Sequence, residues 1–163
     1  MSLALIHSRA LLGLQAPAVT VEVHLANGLP SFTLVGLADT EVKEARERVR
    51  CAIQNNGLDF PNNKRITVNL APVDLPKDSG RFDLPIALGI LAANHQLDTA
   101  ALASYEFAGE LSLSGELRPV RGALAMGLAL RGARVRTRLV LPPPSAPKKQ
   151  RLFQPLRCTE HCT

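Results

Sequence analysis

The strongest constraint on the fold is a two-residue alternation of apolar and polar side chains that occurs three times. In residues 18–25, valine and leucine occupy every second position, and residues 31–35 and 65–70 repeat the alternation. Because successive side chains of a strand point to opposite faces, this pattern predicts three strands with one buried face each. Asn27-Gly28 is a turn pair, so the first two strands are predicted to form a hairpin.

Two other segments have the pattern of helices. Residues 39–56 carry apolar side chains at helical spacing, with Asp39 in the N-cap position and Gly57 after the last turn. Residues 84–94, which Asp83 is predicted to cap, are apolar on nearly every side. A helix without a polar face belongs in the core.

The remainder of the chain predicts further strands, a second hairpin and a helix of small residues. Strands and helices alternate, but the two hairpins interrupt a strict βαβ series. The predicted fold class is therefore α/β (α+β), with a mixed sheet and helices packed on it. The later elements are predicted as strands at 105–113, 116–120 and 138–141, a turn at Ser114-Gly115 and a helix at 122–130.

The net charge of +5 is concentrated at the C-terminal end of the chain. Residues 1–130 contain 11 Lys/Arg and 13 Asp/Glu, whereas residues 131–163 contain 8 Lys/Arg and one acidic residue. Residues 142–163 begin with three prolines and show no periodicity, so we predict a disordered basic tail after a domain at 1–141. The net charge is therefore weak evidence for a DNA-binding surface on the domain itself.

The cysteine count and the hydropathy pattern predict a cytoplasmic protein that does not associate with a membrane. Three cysteines do not form a disulfide framework, and the longest uncharged apolar stretch, 84–93, is too short to span a bilayer. Cys158, His161 and Cys162 could bind zinc weakly, but a structural zinc site uses four ligands. No metal site is predicted.

Seven segments together resemble the N-terminal part of the Mg-chelatase-like ComM/YifB family of AAA+ ATPases. They occur in the same order and nearly without gaps, over about residues 3–141. The matching segments are 28–39, 44–50, 60–61, 65–72, 74–78, 82–90 and 107–111.

The resemblance implies an N-terminal domain like that of Lon protease, related to the second domain of ribosomal protein S5. It also implies a following AAA+ motor that uses ATP and Mg²⁺, a hexameric ring, and a role in DNA processing such as branch migration during natural transformation. No Walker A motif, GxxxxGK[ST], occurs in this chain, so ATP and Mg²⁺ are expected only for a motor that this chain lacks. A frameshift or premature stop explains the loss of family character after residue 141 better than a naturally short protein.

The Lon-like resemblance raises the question of a Ser–Lys dyad, in which a neutral lysine deprotonates the serine. Aligned without gaps, the nucleophile position is Arg81 and the lysine position is Leu124. Neither side chain can perform these steps, so we expect no catalytic residues and no enzyme activity. An alternative hydrolase would use Ser79, with Lys77 as the only nearby lysine; a polar turn explains this segment better.

Four basic residues around the strand at 65–70 are the DNA-binding candidates. Lysine and arginine on loops provide sequence-independent affinity for phosphates, although charges at such positions also simply solvate a surface. The candidates are Lys64, Arg65, Lys77 and Arg81.

Two further interpretations stay open. The charged face of the first helix is either a solvated surface with ion pairs such as Glu44–Arg48 and Lys43–Glu47, or a surface that contacts another subunit of a homo-oligomer or the motor. The whole domain is either a DNA-guiding module or purely an oligomerisation and protein-interaction domain.

Overall fold

A computed structural model of the chain describes residues 2–36, 38–133 and 137–143. Two sheets and four helices account for most of these residues. The strands are β1 Ser2–Arg9, β2 Ala18–Ala26, β3 Ser31–Val35, β4 Arg65–Ala71, β5 Tyr105–Phe107, β6 Glu110–Leu111, β7 Leu117–Arg118 and β8 Arg138–Val140. The helices are α1 Thr40–Asn55, α2 Asp83–Ala93, α3 Thr99–Leu102 and α4 Ala123–Gly132, and a 3₁₀ turn at Gly80–Phe82 precedes α2.

The main sheet has six strands in the order β3-β4-β2-β1-β5-β8. β4 and β1 pair with β2 in antiparallel fashion, whereas β3–β4, β1–β5 and β5–β8 are parallel. β6 and β7 form a separate two-stranded hairpin. This mixed sheet with packed helices confirms the predicted α/β class.

The three alternating segments are strands, as predicted, but the predicted hairpin between the first two is wrong. β4 lies between β2 and β3: Val68 pairs with Val23 on one side and with Leu34 on the other. β3 and β4 are joined through α1, and parallel neighbours need a crossover connection of this kind. The Asn27-Gly28 pair therefore turns the chain without pairing the strands on either side of it.

β1 was not predicted as a strand, although it pairs with β2 along its whole length, from Ser2↔Leu25 to Arg9↔Ala18. Ala4 and Ile6 point into the core, while Leu3 and Leu5 are more than half exposed. Because apolar residues occupy both faces of β1, its period of two is hidden in the sequence.

Both long helices are where the sequence predicted them. The Asp39 carboxylate caps α1 by accepting a hydrogen bond from the Val42 N–H at 2.9 Å. Asp83 does not cap α2 as predicted; it is the first residue of the helix and its side chain has other partners. α2 packs on β1 and β2 and against α1, and its residues join the main hydrophobic core.

The C-terminal third follows the prediction with two differences. The predicted strand at 105–113 is divided into β5 and β6, and α3 was not predicted. The second hairpin, α4 and β8 are confirmed, and Pro142, which the sequence assigned to the tail, is buried. Pro143 is exposed, and residues 144–163 of the predicted tail lie outside the described residues.

No helix among the described residues is both long and apolar enough to cross a membrane. In the same part of the chain, no three His, Cys, Asp or Glu side chains are grouped as metal ligands would be. Cys158, His161 and Cys162 lie outside it.

Gly89 lets α2 approach the sheet closely, because a Cβ at this position would lie 2.5 Å from Val23 Cγ2. We expect Gly89→Ala to destabilise the protein by about 1–3 kcal/mol through overpacking. Gly127→Ala in α4 is the matched control, since no atom lies within 4 Å of its added Cβ. The control should be neutral or up to about 1 kcal/mol more stable, because alanine favours helix. Urea unfolding of both variants measures the difference, and equal stabilities would contradict the close approach.

Candidate functional site

The four predicted DNA-binding cations fall into two separate pairs. Lys64 and Arg65 lie where β4 begins, on the surface. Lys77 and Arg81 lie on the loop that follows the other end of β4, about 20 Å away by the length of a seven-residue strand. The structure does not bring the four side chains together into one basic surface.

Lys77 is a buried structural residue. Its side chain is 1% exposed, and Nζ donates hydrogen bonds to the carbonyl oxygens of Gly36, at 2.8 Å, and Pro72. Burial lowers the pKa of the Lys77 amine, and the charge of Asp74 opposes this shift. Lys77 therefore connects the chain after β3 to the loop after β4, and in this conformation it presents no charge to a phosphate.

Arg81 is also buried, at 2% exposure. Its Nη2 donates to the Arg121 carbonyl at 2.9 Å, its Nη1 lies 3.8 Å from Met126 Sδ, and its Nε donates to Ser79 Oγ at 3.4 Å. Burial lowers the pKa of the guanidinium, opposed by the charge of Asp78. Lys77 and Arg81 are therefore not exposed cations, because backbone carbonyls at loop ends hold both side chains in the interior.

The residues considered for a hydrolytic dyad are close in the fold but are not joined as a dyad requires. Among the described residues, no hydrogen bond links Lys77 Nζ to Ser79 Oγ. Arg81 reaches the beginning of α4, the helix that carries the exposed Leu124. Arg81 and Leu124 therefore both lie near the beginning of α4. Neither side chain carries the hydroxyl or the amine of a Ser–Lys dyad.

Ser79 has an unusual backbone for a serine, with φ 63° and ψ 175°. Non-glycine residues rarely adopt positive φ, and such strain often occurs at functional sites. Here Ser79 is followed directly by Gly80, and a Cβ at Gly80 would lie 2.8 Å from Glu110 Cγ. The turn therefore approaches β6 closely at Gly80, directly after the positive φ of Ser79.

Two buried ion pairs were not predicted from the sequence. Arg48 Nε donates to Asp83 Oδ2 at 2.6 Å and Nη2 donates to Oδ1 at 3.2 Å, while Asp83 also accepts the Leu111 N–H. Arg9 Nε donates to Glu106 Oε2 at 2.7 Å and links β1 to β5. Both pairs join distant segments, so no short-range pattern could identify them.

The ion pairs of the first helix include distant partners as well as the local partners that the sequence predicted. Glu44 lies 3.9 Å from Arg48, but the shorter and more buried partner of Arg48 is Asp83. The hydrogen bond to Asp83 raises the pKa of Arg48, whereas burial raises the pKa of the Asp83 carboxyl against the effect of that hydrogen bond. Glu47 pairs with Arg50 at 3.3 Å, and this pair was not predicted.

Comparison with known proteins identifies similar sequences over most of the described chain. The sequence model for subunit ChlI of Mg-chelatase matches residues 21–144. The chain is 60% identical over 129 residues to the competence protein ComM of Haemophilus influenzae, and 59% identical over 125 residues to the protein YifB of Salmonella typhimurium. An uncharacterised protein of Mycobacterium bovis is 40% identical over 129 residues. These matches cover 77–79% of this chain but only 24–25% of each relative, so the chain spans about a quarter of their length.

Among the described residues, no hydrogen bond joins Ser79 Oγ to a lysine amine, so we expect the serine not to be activated as a nucleophile. A fluorophosphonate probe, which labels activated serines, should leave Ser79 unmodified, because Lys77 Nζ is held by two carbonyls. Peptide mass spectrometry of the probe-treated chain checks this, with Ser79→Ala as the matched background. Labelling that disappears in Ser79→Ala would show that the serine is activated.

Proposed function

Because the chain belongs to the Mg-chelatase-like ComM/YifB family, we propose that it is a non-catalytic nucleic-acid-binding module of that family, with a Lon-like and ribosomal S5-domain-2-like fold. In full-length relatives such a module accompanies an AAA+ motor that uses ATP and Mg²⁺. It guides DNA past the motor and helps to assemble the ring. The name of the Haemophilus influenzae relative, a competence protein, is in keeping with a role in DNA processing.

The observation that carries the proposal is the adjacent pair Lys64 and Arg65 at the start of β4. Lys64 Nζ donates to the neutral Asn27 amide oxygen at 2.6 Å, and Arg65 is exposed. Among the described residues, no carboxylate forms an ion pair with either side chain. Exposed cations without acidic partners release counterions from a nucleic-acid backbone most effectively.

The non-catalytic part of the proposal is supported by the loop around Ser79. The position of a Lon-type nucleophile is occupied by Arg81, whose guanidinium is bonded to the Arg121 carbonyl. Lys77, the one lysine near Ser79 in sequence, is bonded to two carbonyl oxygens instead. A general base must lie within hydrogen-bond reach of the proton that it removes, and this arrangement gives the serine no such partner.

The test of nucleic-acid binding uses the full chain with its tail charges neutralised, by Lys148→Gln, Lys149→Gln, Arg151→Gln and Arg157→Gln. This tail-neutralised chain should still bind a fluorescein-labelled DNA duplex in 20 mM KCl. Adding Arg65→Glu should weaken the binding about 10-fold and reduce the salt dependence, because one phosphate contact is lost. Fluorescence anisotropy at several salt concentrations measures both effects.

The control for this experiment is Arg131→Glu, an exposed arginine at the end of α4 that changes the net charge equally. It should weaken binding less than about twofold. If the tail-neutralised chain does not bind DNA at low salt, the domain is not a nucleic-acid module and the tail alone explains any affinity of the native chain.

A second candidate function, self-association, is favoured by an apolar patch around α4. The patch consists of Leu14, Leu124 and Leu128, of which Leu14 is 95% exposed and Leu124 77% exposed. Leu14 and Leu128 line a shallow surface pocket of ≈ 370 Å³. Arg131 is the only charged residue of α4, so two copies packed through this helix would bring few like charges together. The occupant that we propose is a second copy of this chain.

Polar substitutions in the α4 apolar patch should therefore weaken self-association. We expect Leu124→Ser/Leu128→Ser to lower the association constant about 10-fold or more in sedimentation-velocity experiments, because the exposed leucines are the main apolar contribution of this face. Leu29→Ser, at an exposed leucine in the connection between β2 and β3, is the control and should change nothing. A native chain that stays monomeric at 200 µM would refute this second function.

A further inference from the structure

A surface pocket lies beside the Lys64 end of β4 and is distinct from the loop that carries Ser79. It occupies ≈ 120 Å³ between the start of β3, the C-terminal half of α1 and the segment that leads into β4. Its apolar side is formed by Phe32 and Phe60, whose rings stack with centroids 5.9 Å apart. Its polar side is formed by Ser31, Arg50, Asn62 and Lys64.

Arg50 lines the pocket, and one N–H of its guanidinium has no hydrogen-bond partner among the described residues. Its Cζ lies 5.5 Å from the centroid of the Phe60 ring, so the aromatic face positions the guanidinium. Nη1 donates to Glu47 Oε1 at 3.3 Å, in an exposed ion pair. Nε is the only buried side-chain nitrogen or oxygen without a hydrogen-bond partner in the part of the chain that the structure describes. Because buried N–H groups are nearly always bonded, this donor requires an explanation.

Two other cations add positive charge around the same pocket. Lys64 Nζ is bonded to a neutral amide oxygen, that of Asn27. Arg46 donates to the carbonyl oxygens of Lys43 and of Phe32, a pocket residue. Glu47 is the single carboxylate that forms an ion pair with any of these three cations among the described residues. Positive charges therefore outnumber negative charges around the pocket, and this favours the binding of an anion.

The shape of the pocket selects the kind of anion. Phe32 and Phe60 are each only 9% exposed, so neither ring offers an open face on which a nucleobase could stack. The groups available at the rim are hydrogen-bond donors: the guanidinium of Arg50, the ammonium of Lys64, the Ser31 hydroxyl and the Asn62 amide. Planar guanidinium donors match the tetrahedral oxygens of a phosphate group.

We propose that this pocket, held by Arg50 and Lys64, binds a backbone phosphate of a nucleic-acid strand. The inference rests on the proposed nucleic-acid function and gives it a specific site. Arg65 follows Lys64 directly, so the next phosphates of a bound strand pass along the start of β4. The contact is to phosphate and not to base, and it carries no sequence preference.

The test compares two double variants of the tail-neutralised chain that remove the same net charge. Arg50→Gln/Lys64→Gln alters the pocket, whereas Arg118→Gln/Arg131→Gln removes two exposed cations elsewhere. Binding of fluorescein-labelled dT20 is measured by anisotropy between 20 and 200 mM KCl. We expect the pocket variant to bind about 10-fold or more weakly at low salt and to lower the salt slope by about 1.4, the value for two lost contacts to a single strand. The control variant should lose less than about threefold.

The outcomes separate this inference from the function on which it rests. Equal losses in the two double variants overturn the pocket and leave the nucleic-acid function standing. If the tail-neutralised chain does not bind dT20 at all, the nucleic-acid function fails, and the pocket is then tested with inorganic phosphate. In that case, a phosphate-dependent NMR shift of the Arg50 Nε–H that is absent in Lys64→Gln supports a phosphate site, and no shift at 20 mM phosphate overturns it.

Discussion

The burial of α2 is the constraint on which the rest of the structure depends. Ten of its eleven residues are buried, so the helix needs a covering layer on every side. The sheet provides one layer through β1 and β2, and Gly89 allows the closest approach. α1 and the β6 hairpin provide the other, and Asp83, the one charged residue of α2, is neutralised there by Arg48. A carboxylate buried without that partner would cost about 3–5 kcal/mol.

The interior electrostatics also decide which surfaces are open to partners. Lys77 and Arg81 extend inward to carbonyl oxygens at loop ends, where they satisfy backbone acceptors that the sheet and helices leave unpaired. The loop between β4 and α2 is thereby a structural connection. Lys64 and Arg65, which form no ion pair among the described residues, are at the opposite end of β4, and three exposed leucines, Leu14, Leu124 and Leu128, are on α4 and the loop beside it. The two proposed contacts thus occupy separate parts of the surface.

The predictions from sequence patterns were confirmed where the residues of one short segment determine its secondary structure. The alternation in β2 and β4, the apolar stripe and cap of α1 and the uninterrupted apolar run of α2 each follow from neighbours within one element. β1 was not predicted because its outer face carries Leu3 and Leu5 while its inner face carries Ala4 and Ile6, so both faces are apolar. The hairpin between β2 and β3 was wrong because a turn sequence allows a reversal but does not choose the neighbouring strand.

The sequence by itself determined the family, through the segments that resemble it. It also determined the fold class and most element positions, because hydrophobic periodicity and turn residues act within short segments. Only the tertiary structure decided strand order, the partners of Arg48 and Arg9, and the burial of Lys77 and Arg81. The physical reason is that a cation near a loop has the same local sequence whether it faces water or a carbonyl oxygen. Its environment is set by chain segments that are as distant as Gly36 from Lys77 or Glu106 from Arg9.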